Sequence, residues 1–260
     1  MATRVAVVTG AASGMGRLAA ERLTKAGWAV AAVDLPGPQL DSAAAETGAH
    51  AFRCDVRDDD QVAAAARGVV AAFGGIDRLV NAAGIAVAGH VEDLPQDAFE
   101  RSISVNYLGT VRWVKAVLPA MRSRGAGELI LFASLAGWMP TPAMGAYTAT
   151  KFAVVGFAET LAMELDGSGI RVRCVCPGAV QTPMLDDIMS RGMPERLKRL
   201  SQVAAPGEII DAIEVSLVRR NAGIYVFPGL PVKVLWRARR LSPQLLGRVI
   251  RRLSAVNSDG

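Results

Sequence analysis

Along the chain, short unbroken apolar runs alternate with longer segments of helical period. RVAVVTG is a β-branched run closing on glycine, and it predicts a buried first strand. Residues 14 to 26 predict a helix, AVAAVD a second strand, residues 38 to 47 a weak helix, and residues 49 to 53 a third strand. DDDQVAAAARGVVAAFG predicts an alanine-rich helix whose opening acids suit a helix N-terminus. DRLVNAAG carries a fourth strand. Residues 95 to 123 predict one long helix, with Pro95 near its start and Pro119 placed to bend or stop it. GELILFAS predicts a fifth strand, residues 146 to 166 a helix ending near Gly167, and IRVRCVCPG a sixth strand. A loop with short helical turns covers about 178 to 206; EIIDAIEVSLVRR then predicts a helix and GIYVF a short seventh strand.

Strands that are apolar throughout, alternating with helices, predict a parallel sheet covered on both faces. Neither an internal repeat nor a linker interrupts the pattern before residue 229. The expected architecture is one doubly wound α/β domain of Rossmann type over residues 1 to 229, followed by an extension over residues 230 to 260. In such sheets ligands bind outside the carboxyl ends of the strands, where strand order reverses. The residues just after each strand are therefore the ones to inspect.

Composition removes several alternatives. Hydrophobic residues make up 51% and charged residues 20% of the 260, which is globular rather than disordered. No apolar run reaches the roughly 20 residues a spanning helix needs, and MATRVAVVTG does not read as a signal peptide. A reducing, cytoplasmic location is expected. Three cysteines, Cys54, Cys174 and Cys176, make no disulfide framework, and Cys174 and Cys176 alone are a poor metal site; buried small side chains are the expectation. His50 and His90 are isolated. The net charge of +5 is local: residues 231 to 260 hold seven cations and one acid, leaving 22 − 23 = −1 for the rest. No recognisable nucleic-acid-binding unit accompanies the basic stretch.

The strand ends hold a consistent set of residues. TGAASGMG places Gly10, Gly14 and Gly16 between the first strand and the first helix, where glycines let backbone approach a pyrophosphate. Asp34 ends the second strand; a carboxylate there can accept from a ribose diol and repels a 2′-phosphate, while Ser13 offers no compensating cation. That favours NAD over NADP. Asp55, after the third strand, is placed to meet an adenine amino group, and Asn81-Ala82-Ala83-Gly84 follows the fourth. Ser134 follows the fifth strand, Asn106 sits in VNYLGT of the long helix, and Pro177-Gly178 with Thr182 follows the sixth. AYTATKF sets Tyr147 and Lys151 one helical turn apart, so an ammonium can make a phenol more acidic than its ordinary pKa of ~10.

These markers, TGAASGMG, Asp34, CDV, NAAG, Asn106, Ser134, YTATK and PG followed by Thr182, resemble those of an ordinary, non-extended short-chain dehydrogenase/reductase, over about residues 3 to 227. The resemblance implies a seven-stranded sheet in the order 3-2-1-4-5-6-7 and a catalytic tetrad of Asn106, Ser134, Tyr147 and Lys151. It also implies a nicotinamide site formed by Gly10, Ser13, Gly14, Met15, Gly16, Asp34, Asp55, Val56, Asn81, Ala82, Gly84, Tyr147, Lys151, Pro177, Gly178, Val180 and Thr182. By the same resemblance Lys151 holds the nicotinamide ribose and Asn106 holds a water linking Lys151 to solvent. Ser134 would hold the substrate oxygen while Tyr147 moves the proton. The expected activity is NAD-dependent interconversion of an alcohol and its ketone. An NADP-dependent biosynthetic ketoreductase and a non-catalytic nucleotide sensor are the alternatives, and the intact tetrad speaks against the sensor.

In that family the substrate pocket is built after the serine and in the loop after the sixth strand. Here those segments hold Leu135, Trp138, Met139, Met144, Met184, Leu185, Ile188 and Met189. The set is apolar and methionine-rich, as suits an irregular apolar surface. It points to a bulky lipophilic secondary alcohol such as a steroid, isoprenoid, fatty or aromatic alcohol. The same residues would also serve as plain packing of a lid. Arg191, Arg196, Lys198 and Arg199 are expected to face solvent.

The tail departs from the resemblance. Ser242 as N-cap and Pro243 at the first helical position predict a final helix with Leu246, Val249, Ile250 and Leu253 on one face and Arg248, Arg251 and Arg252 on the other. Leu235 and Trp236 precede it among Lys233, Arg237, Arg239 and Arg240. Such a helix either packs on the body, on a neighbouring subunit or over the pocket, which is the commoner arrangement, or rests on an anionic membrane surface. A homo-oligomer is expected from the resemblance.

Overall fold

A computed structural model describes residues 3–190, 203–219, 222–244 and 247–248. The strands are β1 (Val5–Thr9), β2 (Ala29–Asp34), β3 (His50–Arg53), β4 (Arg78–Asn81), β5 (Gly127–Phe132), β6 (Ile170–Val175) and β7 (Tyr225–Val226). The helices are α1 (Gly14–Lys25), α2 (Pro38–Thr47), α3 (Asp59–Phe73), α4 (Gln96–Ser102), α5 (Gly109–Arg124), α6 (Gly145–Glu164), α7 (Pro183–Ser190), α8 (Pro206–Val218) and α9 (Leu230–Leu241). All strand pairs are parallel, in the order β3-β2-β1-β4-β5-β6-β7.

That order reverses at β1, so the crevice lies beside the carboxyl ends of β1 and β4. Every residue of β1, β4 and β5 is buried, because helices cover both faces. One face meets α3, α5 and α6 through Val69, Trp113, Val117 and Val154. The other meets α1, α2 and α8 through Leu23, Leu40, Ile209 and Ile213. Each such fully buried aliphatic contributes roughly 1.5–3 kcal/mol.

Local chemistry explains the boundaries. The Asp58 carboxylate accepts from the N–H groups of Asp60 and Gln61, capping α3. The long helix expected over 95 to 123 is α4 and α5 joined by a π-helical segment, Ile103–Leu108. Pro119 does not stop it; the helix continues to Arg124. Pro119 is exposed, so solvent can satisfy the carbonyl that its missing N–H leaves free.

The tail differs from expectation. A helix begins at Leu230, with Gly229 as N-cap and Pro231 in the first turn, and Ser242 is its C-cap rather than an N-cap. Of the helix expected from Pro243 onward, Leu246, Val249, Ile250, Arg251, Arg252 and Leu253 lie outside the described residues, as do Arg191, Arg196, Lys198 and Arg199. Cys54, Cys174 and Cys176 are free and buried. Among the described residues there is no cluster able to hold a metal ion, and no helix is long and apolar enough to cross a membrane.

Candidate active site

Three elements bring Ser134, Tyr147 and Lys151 together. Ser134 ends the extended chain after β5 and caps the short turn Leu135–Gly137, its Oγ accepting from the Ala136 N–H at 3.1 Å. Tyr147 and Lys151 project from the first turns of α6, four residues apart. The Ser134 side chain lies near enough to the Tyr147 hydroxyl to favour its ionised form. Lys151 Nζ donates to the Phe132 carbonyl at 2.8 Å and lies 5.5 Å from the Tyr147 ring centroid.

The electrostatics differ in one respect from expectation. Burial pushes the Tyr147 phenol above its ordinary value, and the opposing pull comes from the Ser134 side chain. The Lys151 ammonium sits by the ring face, turned to the Phe132 carbonyl. Burial pushes Lys151 itself down to about 8. It is therefore largely charged at neutral pH and loses its proton as pH rises through that value.

Asn106 lies in the π-helical segment and is almost fully buried. Its carboxamide clamps Ile85, accepting from the Ile85 N–H at 2.8 Å and donating to the Ile85 carbonyl at 2.9 Å. Nδ2 also donates to Thr150 Oγ1 at 3.0 Å, and Thr150 Oγ1 donates to the Tyr147 carbonyl at 2.7 Å. The side chain is thus committed to protein partners, and the Asn106 carbonyl accepts from Thr110 Oγ1 at 2.7 Å. Asn106 positions the loop after β4 against α6; Gly84 lies between it and Lys151.

Thr150 had no part in the sequence reading, although its place in YTATK, three residues after Tyr147, puts it one turn along the same helix. Thr150→Val should leave a buried donor without its acceptor and lower kcat about tenfold, matching a lost hydrogen bond of roughly 1.4 kcal/mol. KM should move far less, and Thr150→Ser should keep most of the rate. Steady-state kinetics on the two variants checks this.

The nucleotide cradle is built by close backbone approach. Gly10 has φ +68°, and a Cβ there would lie 2.8 Å from the Ala83 nitrogen. A Cβ on Gly16 would lie 2.2 Å from the Gly10 carbonyl oxygen. Between them Ser13 is extended, with no side-chain cap bond to the start of α1, Gly14 faces the Thr182 methyl, and Met15 packs on the α1 side of the core. The Asp34 carboxylate is held at the β2 end by the N–H groups of Ala12, at 2.9 Å, and Leu35, at 2.8 Å. These glycines and this carboxylate fit a dinucleotide: room for a pyrophosphate over α1 and an acceptor for a ribose.

Other expected contacts are less open. Asn81 is sealed inside, with its oxygen facing Thr9 Oγ1 and its nitrogen donating to Thr110 Oγ1, so only its backbone is free to meet a ligand. Thr9 Oγ1 also accepts from the Ala83 N–H, which ties the two strand ends beneath the cradle. The Asp55 carboxylate pairs with the Arg57 guanidinium at 2.6 Å, which holds it below its ordinary value. Val56 is buried against Gly109, and Ala82 packs in the second core. The Pro177 carbonyl accepts from the Leu135 N–H at 2.7 Å, joining the serine turn to the segment after β6. Val180 is buried and bridges Ala204, and Thr182 Oγ1 donates to the Val180 carbonyl.

Of the expected substrate lining, Leu135, Met139, Met184, Leu185 and Met189 are half-buried, while Met144 and Ile188 are buried. Trp138 instead joins an aromatic cluster with Tyr225, at 5.2 Å between centroids, and Trp236 of α9, at 6.0 Å. Gly178 faces Val232 of α9. Helix α9, which the sequence reading did not predict, thus packs on the body through residues that the sequence pattern alone does not connect.

A family model described as short chain dehydrogenase matches residues 4–191. D-threitol dehydrogenase of Mycolicibacterium smegmatis is 38% identical over 217 residues, 80% of this chain and 84% of that protein. The 3-alpha-(or 20-beta)-hydroxysteroid dehydrogenase of Mycobacterium tuberculosis is 36% identical over 214 residues, 81% of this chain and 80% of that one. Among solved structures, a short chain dehydrogenase/reductase from Burkholderia phymatum in complex with NAD superposes with a TM-score of 0.83 at 26% identity, covering 94% of this chain and 95% of that one.

Proposed function

Because the chain belongs to the short-chain dehydrogenase family, whose members are oxidoreductases using a nicotinamide cofactor, we propose that it interconverts a bulky lipophilic secondary alcohol and its ketone with NAD(H). The observation that carries this reading is Ser134 beside Tyr147, with Lys151 at the tyrosine ring, on the same sheet edge as Asp34. The nicotinamide, when bound, supplies the hydride acceptor or donor.

The protein's own residues then handle the proton. Ser134 holds the substrate oxygen at the tyrosine hydroxyl, and Tyr147 takes the hydroxyl proton in oxidation or returns it in reduction. Lys151, anchored on the Phe132 carbonyl, holds positive charge beside the ring and steadies the phenolate as it forms. Asn106 and Thr150 fix the helix start from which both residues project.

The preference for NAD rests on Asp34. Its carboxylate is oriented by two backbone N–H groups, and Ser13 supplies no cation for a 2′-phosphate. Asp34→Ala should lower kcat/KM with NAD by about 10- to 100-fold, or roughly 1.4–2.8 kcal/mol, and narrow the gap to NADP. Parallel assays with both nucleotides check this; a wild-type protein that works better with NADP would overturn the assignment.

Relatives of nearly equal identity are named for D-threitol and for a hydroxysteroid, so identity does not choose between a polyol and a lipophile. Support for the lipophile comes from the lining: Leu135, Met139, Met184 and Leu185 are apolar and only half-buried. Exposed apolar residues on the joined helix α4–α5 and on α6, such as Ile103, Leu108 and Phe152, suit a homo-oligomer.

A further inference from the structure

Helix α9 has two unlike faces. At 100° per residue, Val232, Trp236 and Arg239 fall on one side, and this side meets the body. Trp236 lies 4.8 Å from Phe227 and 5.8 Å from Tyr225 between ring centroids, and Arg239 Nε donates to the Trp138 carbonyl at 3.1 Å. On the opposite side Leu230, Val234, Arg237 and Leu241 fall within about 60° of one another, with Lys233 at one edge. Leu230 is 72%, Val234 53% and Leu241 86% exposed, and no residue of α9 is buried. Anchored aromatics on one side thus present three aliphatic side chains and two cations, Lys233 and Arg237, away from the body, while the Arg240 guanidinium lies over the Trp236 ring at 5.3 Å.

We infer that this outward face is a docking surface for an anionic lipid bilayer. Charge complementarity selects that occupant. Between Glu214 and Asp259 the chain holds nine lysines and arginines and not one acidic residue. Cations flanking exposed aliphatics on one helical face are what an interfacial helix needs: side chains for the acyl boundary and charge for the headgroups. A second copy meeting this face about a two-fold axis would set Lys233 and Arg237 against their own equivalents, with no acid among the residues of α9. A nucleic acid would use the cations but leave Leu230, Val234 and Leu241 without an apolar partner.

Trp138, on which α9 seats, comes four residues after Ser134. A bilayer held by α9 would therefore lie beside the segment that lines the proposed substrate site. On the reading of a lipophilic substrate, docking brings the site to the phase in which that substrate dissolves. The docking surface itself stands on the geometry and charge of α9 alone.

Co-sedimentation of the full chain with phosphatidylcholine vesicles, with and without phosphatidylglycerol, tests this. The protein should pellet with the anionic vesicles and not with the neutral ones, and added salt should release it. Lys233→Glu with Arg237→Glu should weaken binding by about tenfold or more, and Leu230→Asn with Val234→Asn should weaken it at constant charge. Both double variants should keep wild-type turnover of a water-soluble alcohol, so loss of binding is separable from any failure of the enzymatic reading. Equal pelleting with neutral vesicles, no pelleting with anionic ones, or binding indifferent to both double variants would overturn the inference. A fall in solution mass on Leu230→Asn with Val234→Asn would assign the face to a second copy instead. Binding to duplex DNA that survives that same change would assign it to nucleic acid.

Discussion

Tyr147→Phe should reduce kcat by about 10²–10⁴-fold, the usual worth of a positioned acid–base group, while reduced nicotinamide still binds. The change removes one hydroxyl from a helix whose start is held by other groups. Thr150 Oγ1 still bridges Asn106 to the residue 147 carbonyl, and the Thr148 N–H still donates to the Met144 carbonyl. Ser134 keeps its bond from Ala136, so the serine turn stays in place. On the proposed mechanism, what is lost is the group that passes a proton to or from the substrate oxygen. Fluorescence titration with NADH, beside turnover, separates the two effects. Equal loss of binding and rate would make Tyr147 a structural residue instead.

Gly16→Ala should disable the protein at an earlier stage, by closing the nucleotide cradle. The added methyl would sit 2.2 Å from the Gly10 carbonyl oxygen and about as close to its carbon. Both are backbone atoms on the turn between β1 and α1, so no side chain can swing aside. Overpacking of this kind costs about 1–3 kcal/mol. At this chain length that is a fall in Tm of roughly 2–6 °C. The only relief is to move α1 away from β1, which takes its N-terminal N–H groups from the place where a pyrophosphate would lie. NADH affinity should therefore fall by about 100-fold or more, the loss of two or three charge-assisted hydrogen bonds. Gly156→Ala on α6 is the matched control: a Cβ there meets nothing within 4 Å, so it should be neutral or slightly stabilising. A Gly16→Ala protein that binds NADH normally would remove the cradle from its assigned role.

The parts of the molecule written in its sequence are those with local causes. Unbroken apolar runs placed β1 and β2 because a strand buried on both faces has no polar side to show; edge strand β3, HAFR, is largely exposed and carries no such run. The strand order, by contrast, followed only from the resemblance, since apolar runs do not say which strand is whose neighbour. Residues defined by three-dimensional partners were harder to see. Asn106 stands in an ordinary helical run, and only the π-helical segment turns its carboxamide onto Ile85 and Thr150. Asn81 was placed on the cofactor wall because it follows a strand, yet Thr9 and Thr110 hold its side chain in the core.

The tail shows the same division. Ser242 and Pro243 form a plausible helix start, but a serine after a run of arginines serves equally as a C-cap, and Pro231 two residues after Gly229 opens the helix twelve residues earlier. What decides between them is Trp236, which has Trp138, Tyr225 and Phe227 to pack on. Those partners are scattered over nearly 90 residues of sequence and meet only once β6, β7 and the serine turn are assembled.

The most direct test is the absorbance of the reduced nicotinamide band while secondary alcohols are offered with NAD and, separately, with NADP. The panel should span steroid, terpenoid, fatty and aromatic alcohols, with small polyols as the contrast. Turnover of an apolar alcohol with NAD, lost in Tyr147→Phe, is the result expected of Asp34, the methionine-rich lining and the Ser134–Tyr147–Lys151 arrangement together. Turnover confined to polyols or to NADP, or turnover that persists in Tyr147→Phe, would contradict it.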